Sequence, residues 1–252
     1  MEQPGLHVDR PVDSKDTVEP NHLIIWLDKH IGKTGQCLLL KRNFFMITDP
    51  TTECERSLDK IDIDARICSN TSLYPRLDGI QFVLRVFDDP TTCYKTIENN
   101  LDKRIFLISS GSKGEVIVPR VVQNFPEQFG TTQAIYIFCA KMNMRETDGA
   151  GAATNEWALD YSDHILMYDH EDCLLARLVF DIGKYFFAEA EVLAQQGQLN
   201  VAIQHYYWSK TMFQRRKTMM NSGNLLKNEL ETVEKLIVDL ENHLSNDEHD
   251  IK

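Results

Sequence analysis

Ser109 to Gly114 reads SSGSKG and stands where an apolar run, RIFLI, gives way to helical spacing. A turn of this kind, at a strand-to-helix junction, offers backbone N–H groups and the positive end of a helix dipole, and Lys113 adds a cation. Ser109, Ser110, Gly111, Ser112, Lys113 and Gly114 could therefore cradle a phosphate, with a nucleotide or another phosphorylated metabolite as the ligand class. A plain tight turn uses the same residue types and is preferred. HIGKT, His30 to Thr34, has the ending of a P-loop, but the first glycine that motif needs is replaced by Leu27. Asp169, His170, Glu171 and Asp172 bring carboxylates and an imidazole together in sequence. Neighbours on a chain need not converge on one metal, and an acidic helix start is the preferred reading. G-x-S-x-G is absent, so no nucleophile elbow is announced. No catalytic residue, metal ligand or cofactor is expected, and the chain leans away from being an enzyme.

The elements that would position these residues show as five short apolar runs: Leu23 to Leu27, Gln81 to Phe87, Arg104 to Ile108, Ala134 to Cys139 and His164 to Tyr168. Nearly continuous apolar character over five or six residues marks a strand buried on both faces, a pattern that a short buried helix can share. Helical spacing lies between them. Thr91 to Asn100 is a helix capped by Asp88 or Asp89 with Pro90 in its first turn. Glu115 to Phe125 is another, entered through a glycine turn and disturbed by Pro119. Alternating strands and helices imply a parallel sheet in residues 21–171, with a flavodoxin-like order 2-1-3-4-5. Residues 43–79 fit poorly and read as an insertion between the first helix and the second strand. Asn143 to Asn155, rich in Gly, Ala and Thr, reads as a mobile loop.

From residue 172 to 247 the period becomes helical. Leu175, Leu178, Val179, Ile182, Phe186, Ala190 and Leu193 form one face, Gly197 ends that helix, and Leu199 to Arg216 forms its partner. In the last helix Leu226, Leu230, Val233, Ile237, Leu240 and Leu244 alternate by four and three residues, the seam of a coiled coil or a packed hairpin. Tyr206, Tyr207, Trp208 and Phe213 cannot all lie on one narrow face. Tyr207, Trp208 and Phe213, with Leu230, Val233, Ile237 and Leu240, are therefore the candidate partner-binding or self-association residues. Packing inside the chain is the preferred account of the aromatic run.

Composition narrows the partners. The formal charge of −11 argues against nucleic acid or an anionic membrane surface, both of which are bound through clustered Lys and Arg. The six cysteines contain no C-x-x-C pair and read as reduced thiols of a cytoplasmic protein. No apolar stretch is long enough to cross a membrane. Residues 1–20 carry five acids against two bases and read as a flexible tail, as do residues 248–252.

Two resemblances add to this. Phe186, Ala190, Leu193, Gly197, Leu199, Ala202, Tyr206 and Ser209 stand as in a tetratricopeptide repeat, so Phe186 to Gln214 resembles a single repeat. Glu189 and Gln214 depart from that pattern. The phrases IIWLD, DDPTTCYKTIENN, RIFLISSGSKGEVIVPRVV and AIYIFCAK resemble an uncharacterised receiver-like α/β domain of multidomain animal proteins that carry ADP-ribosyltransferase or tetratricopeptide modules. That resemblance implies a regulatory or interaction unit. A phosphoryl-accepting receiver would need an Asp after the third strand, where this chain has Ser109 and Ser110, and a Lys after the fifth, where it has Asp169 and His170. The expectation is a non-enzymatic interaction or regulatory module: a five-stranded flavodoxin-like or receiver-like sheet, then a helical hairpin and a terminal helix. The alternative is a binder of nucleotides or phosphorylated metabolites, the regulatory part of an ADP-ribosyltransferase-type system, acting through Ser109 to Gly114.

Overall fold

The structure, a computed structural model, describes residues 21–31, 33, 37, 46–48, 55–57, 72–73, 76–77, 80–81, 83–130, 135–139, 156–221 and 224–250. The tail of residues 1–20, the expected first helix, the loop 143–155 and most of the segment 43–79 lie outside the described residues.

Strand β1 (His22–Leu27) is buried at every position, as a run of HLIIWL requires when both its faces are covered. It pairs in parallel with β7 (Val83–Phe87) on one side and β8 (Arg104–Ser110) on the other. Beyond β8 follow β9 (Ile135–Phe138) and β10 (Ile165–Tyr168), also parallel. The five parallel strands thus run β7-β1-β8-β9-β10, the order 2-1-3-4-5 expected from the sequence. The segment expected as an insertion contributes short strands: β2 (Met46–Thr48) pairs with β3 (Glu55–Ser57), and β5 (Arg76–Leu77) with β6 (Ile80–Gln81). Between them β4 (Ser72–Leu73) adds antiparallel to the β7 edge.

Helix α1 (Pro90–Glu98) starts as its sequence dictates. Asp89 is extended, its carboxylate accepts the Thr92 N–H, and Pro90 occupies a position whose N–H no helix bond would use. Helix α2 (Gly111–Asn124) corrects an expectation. It begins directly after β8, so Gly111 to Gly114 is the helix's first turn and not a turn before it. Gly114 explains the close approach: a β-carbon there would stand 3.0 Å from both Ile137 and Trp157. Pro119 sits inside α2 without ending it. The carbonyl it leaves unpaired belongs to exposed Glu115.

Strand alternation divides the sheet into two cores. Leu23, Ile25, Leu27, Phe87, Ile105, Leu107, Ile135 and Ile137 face α1, α2 and a short 3-10 helix (Glu156–Tyr161). Ile24, Trp26, Leu84, Val86, Phe106, Ile108 and Tyr136 face α3 (Glu171–Gln195), through Leu174, Leu178, Ile182 and Phe186. Helix α4 (Leu199–Met219) lies beside α3 and brings Met212, Trp208 and Met219 onto that second core. The C-terminal helices expected as an arm therefore close one face of the sheet. Gly197, with φ +77, makes the α3–α4 turn. A third core of Ala190, Tyr206, Phe213, Leu226, Val233 and Ile237 seats α5 (Lys227–Asp250), which continues past the expected end at residue 247.

Candidate functional site

In an open parallel sheet the ligand crevice lies outside the carboxyl ends of the strands, where the strand order reverses. Here that point falls between β1 and β8. Leu27 stands opposite Ser109, so Asp28 and Ser110 leave the two strands side by side.

The polar groups at this point are turned toward their own chain. Asp28 is buried; its N–H donates to the Phe87 carbonyl at 2.9 Å and its carboxylate accepts the His30 N–H. The Ser109 hydroxyl has no exposed surface and donates to the Ser110 carbonyl at 3.1 Å. Ser110 is the N-cap of α2 by backbone geometry, but its side chain makes no cap bond, and its buried Oγ has no partner among the described residues. The Gly111 N–H is engaged by the Cys139 thiol at the end of β9; burial pushes that thiol up, and the N–H opposes the rise. Gly111 and Gly114 are buried, Lys113 is half-buried and Ser112 is exposed. Lys113 lies close enough to Asp89 to help hold that carboxyl below its usual range, after the larger effect of the Thr92 N–H and hydroxyl. Of the six residues expected to hold a phosphate, only Ser112 and Lys113 thus keep polar groups turned outward.

The other motifs resolve as follows. In HIGKT the described residues make a tight turn, with the Lys33 N–H on the His30 carbonyl at 2.9 Å and Ile31 buried. Glu171 and Asp172 occupy the first turn of α3, where carboxylates favour the helix dipole. Among the described residues, no three His, Cys, Asp or Glu side chains converge as metal ligands. Cys37 and Cys139 are half-buried, Cys93 is buried and Cys173 exposed. Burial pushes the Cys93 thiol up to about 12.

No family model, curated protein or solved structure matches this chain. Among the described residues, no helix is long and apolar enough to cross a membrane.

The residues expected to bind a partner divide sharply. Tyr207 is exposed, and its hydroxyl donates to Glu241 on α5 at 3.0 Å. Trp208 is half-buried, its ring 5.3 Å from Phe186 and 4.7 Å from His205. Phe213 is buried against Gly183 and Phe180. Val233 and Ile237 are buried, and Leu230 and Leu240 pack beside them. Of the two readings of this seam, a coiled coil or a packed hairpin, the packing is of the second kind: the heptad positions of α5 are occupied by the chain's own α3–α4 hairpin. The physical reason is that α4 buries two sides, one toward the sheet and one toward α5, so its aromatic run has little left to present.

Two polar sets went unrecognised in the sequence. The Tyr136 hydroxyl donates to Asp181 Oδ2 at 2.7 Å, and Arg177 Nε donates to the same oxygen at 2.8 Å. Burial, and then the Asp181 charge, raise the Tyr136 hydroxyl well above its ordinary value. At the amino end of β1, His22 lies edge-on to Phe186 at 5.3 Å. Burial, with a smaller push from His205, lowers its pKa to about 4. His205 Nδ1 is 2.9 Å from the Val201 carbonyl, which can only accept, so Nδ1 carries the proton.

Proposed function

We propose that this chain is a non-enzymatic interaction or regulatory module, in which the sheet is a rigid platform and the helices α3 to α5 form the layer that meets a partner. The observation that carries this reading is the state of the carboxyl edge at the switch point. The groups with which such a fold would act on a substrate, the Asp28 carboxylate, the Ser109 hydroxyl and the Gly111 N–H, are each engaged by the chain itself. What the molecule turns outward is helical surface, including Tyr207 on α4 and Val238 on α5, both exposed. Tyrosine combines a large ring with a polar tip and suits a contact surface. Size-exclusion chromatography with light scattering, on the wild type and on Tyr207→Ala with Val238→Glu, addresses self-association. A wild-type dimer reduced to monomer by the double change supports this surface; a monomer in both leaves a different protein as the partner, and a dimer unaffected by the change removes the surface.

The second reading is a phosphorylated ligand at Ser109 to Gly114, favoured by the buried Ser110 Oγ at the start of α2. Thermal-shift titration with nucleotides and dinucleotides separates the two. Stabilisation that disappears in Lys113→Ala favours the ligand, and an unchanged melting temperature across the panel favours the interaction module.

A further inference from the structure

The strongest local departure from the chain's acidic character lies around the ring of Phe180. The sequence carries a formal charge of −11, yet three cations surround this half-buried ring. The Arg216 guanidinium carbon, from α4, stands 4.0 Å from the ring centroid, Lys184 Nζ 5.7 Å and the Arg177 guanidinium carbon 6.0 Å. Each contact is favourable with the ring face, but the cations repel one another. The repulsion between Arg177 and Arg216 helps lower the Arg216 pKa, second to burial.

The acids nearby do not neutralise the set. Asp181 is paired with Arg177 and also accepts the Tyr136 hydroxyl. Glu229, in the first turn of α5, attracts Arg216 only weakly and makes no ion pair with it. Arg216 and Lys184 form no ion pair among the described residues. Arg216 is half-buried, and among the described residues its Nε is buried without a hydrogen-bond partner. Tyr168, the last residue of β10, packs partly buried against the core that α3 and α4 cover.

We propose that Arg177, Lys184 and Arg216 form a binding site for a tetrahedral oxyanion, the phosphoryl or sulfate group of a ligand. Donors arriving from two helices, α3 and α4, match an anion whose oxygens point in different directions, whereas a carboxylate offers two in one plane. Guanidinium groups suit it because they keep their charge when partly buried and present paired N–H donors. The site is separate from Ser109 to Gly114 and does not depend on the function proposed above.

The test is calorimetric titration of the full chain at neutral pH with inorganic phosphate, sulfate, O-phospho-L-tyrosine and acetate, at matched ionic strength in chloride. Phosphate or sulfate should bind and acetate should not. Arg216→Gln should weaken the affinity by roughly tenfold or more, the loss expected for one charge-assisted hydrogen-bonding group. Lys184→Gln, at an exposed position, should weaken it less while keeping the wild-type circular dichroism, which guards against a folding defect in the arginine variant. Lys235→Gln, at an exposed position of α5, should leave the affinity unchanged. Tighter binding of phosphotyrosine than of phosphate would assign the site to a phosphorylated side chain, and equal binding to a free anion. The proposal is overturned by silence from all the tetrahedral anions, by acetate binding as well as phosphate, or by an affinity that Arg216→Gln and Lys184→Gln leave untouched.

Discussion

The two faces of the sheet are equally buried but differently made. Under α1 and α2 the sheet meets helices that connect its own strands, and the contact is built from aliphatic side chains with Phe87 and Phe129. Under α3 and α4 it meets helices that follow the last strand, and polar groups enter the contact: His22 beside His205, and Tyr136 bonded to Asp181. The apolar face sealed by short crossovers buries Cys93, whose thiol is pushed up to about 12 and so stays neutral at ordinary pH. The other face has its stability tied to pH and to a small number of aromatic keystones. The anion site proposed around Phe180 also belongs to that second layer.

Removing a keystone should have the largest effect. Phe186 has no exposed surface and its ring meets His22, Tyr185, His205 and Trp208. Phe186→Ala should cost about 3 to 5 kcal/mol through lost burial and the cavity left behind, read from urea unfolding at neutral pH. A loss below about 1 kcal/mol would mean that the α3–sheet contact collapses to refill the space, and that this face is more plastic than described.

Acid should distinguish the faces next. The folded pKa of His22, about 4, lies below its unfolded value of 6.5, so the folded state disfavours protonation. The contribution is fully present above pH 6.5 and is lost as the pH falls toward 4, up to about 3 kcal/mol in all. Urea midpoints measured across this window should fall in the wild type, and His22→Phe should flatten that part of the decline. Parallel curves for the two proteins would show that the buried imidazole does not govern the acid sensitivity of this face.

A pair of glycines gives a smaller and more pointed comparison. At Gly183 a β-carbon would stand 2.8 Å from the Phe213 ring and 3.1 Å from Met212 Cβ, whereas at Gly114 it would meet Ile137 Cδ1 and Trp157 Cη2, both at 3.0 Å. Both alanines gain helix propensity of about 1 kcal/mol. Gly183→Ala should nonetheless destabilise by about 1 to 2 kcal/mol, because the α3–α4 contact cannot separate without disturbing the sheet. Gly114→Ala should fall closer to neutral, since the methyl end of Ile137 can turn aside. Thermal unfolding of the two variants side by side checks the order, and the reverse order would place the tighter packing on the α2 face.

Much of this layout is legible in the sequence for a physical reason. Runs such as LIIWL and RIFLI have no polar side to expose and are shorter than a typical helix, which fits strands covered twice, and Asp89–Pro90 spells a helix start through local hydrogen bonding alone. The α2 start is not legible in this way. Gly111 and Gly114 look like turn residues, and only their burial against Cys139, Ile137 and Trp157 makes them the first turn of a helix. The aromatic run of α4 is legible only in part: packing inside the chain is the preferred reading of the sequence, but spacing alone does not show that Trp208 and Phe213 lie on different sides of a helix packed twice. Tyr136 and Asp181 are 45 residues apart, so only the Arg177–Asp181 half of their network had a local signature, its four-residue spacing.

The central claim is that α3 and α4 belong to the sheet's fold and are not a detachable arm. The direct measurement is the unfolding of a chain ending at residue 171, followed by circular dichroism in urea beside the full chain. With Ile24, Trp26, Phe106, Ile108 and Tyr136 uncovered, the shortened chain should show no cooperative transition and should self-associate. A monomeric fragment that unfolds in one sharp transition at the full chain's midpoint would contradict the claim.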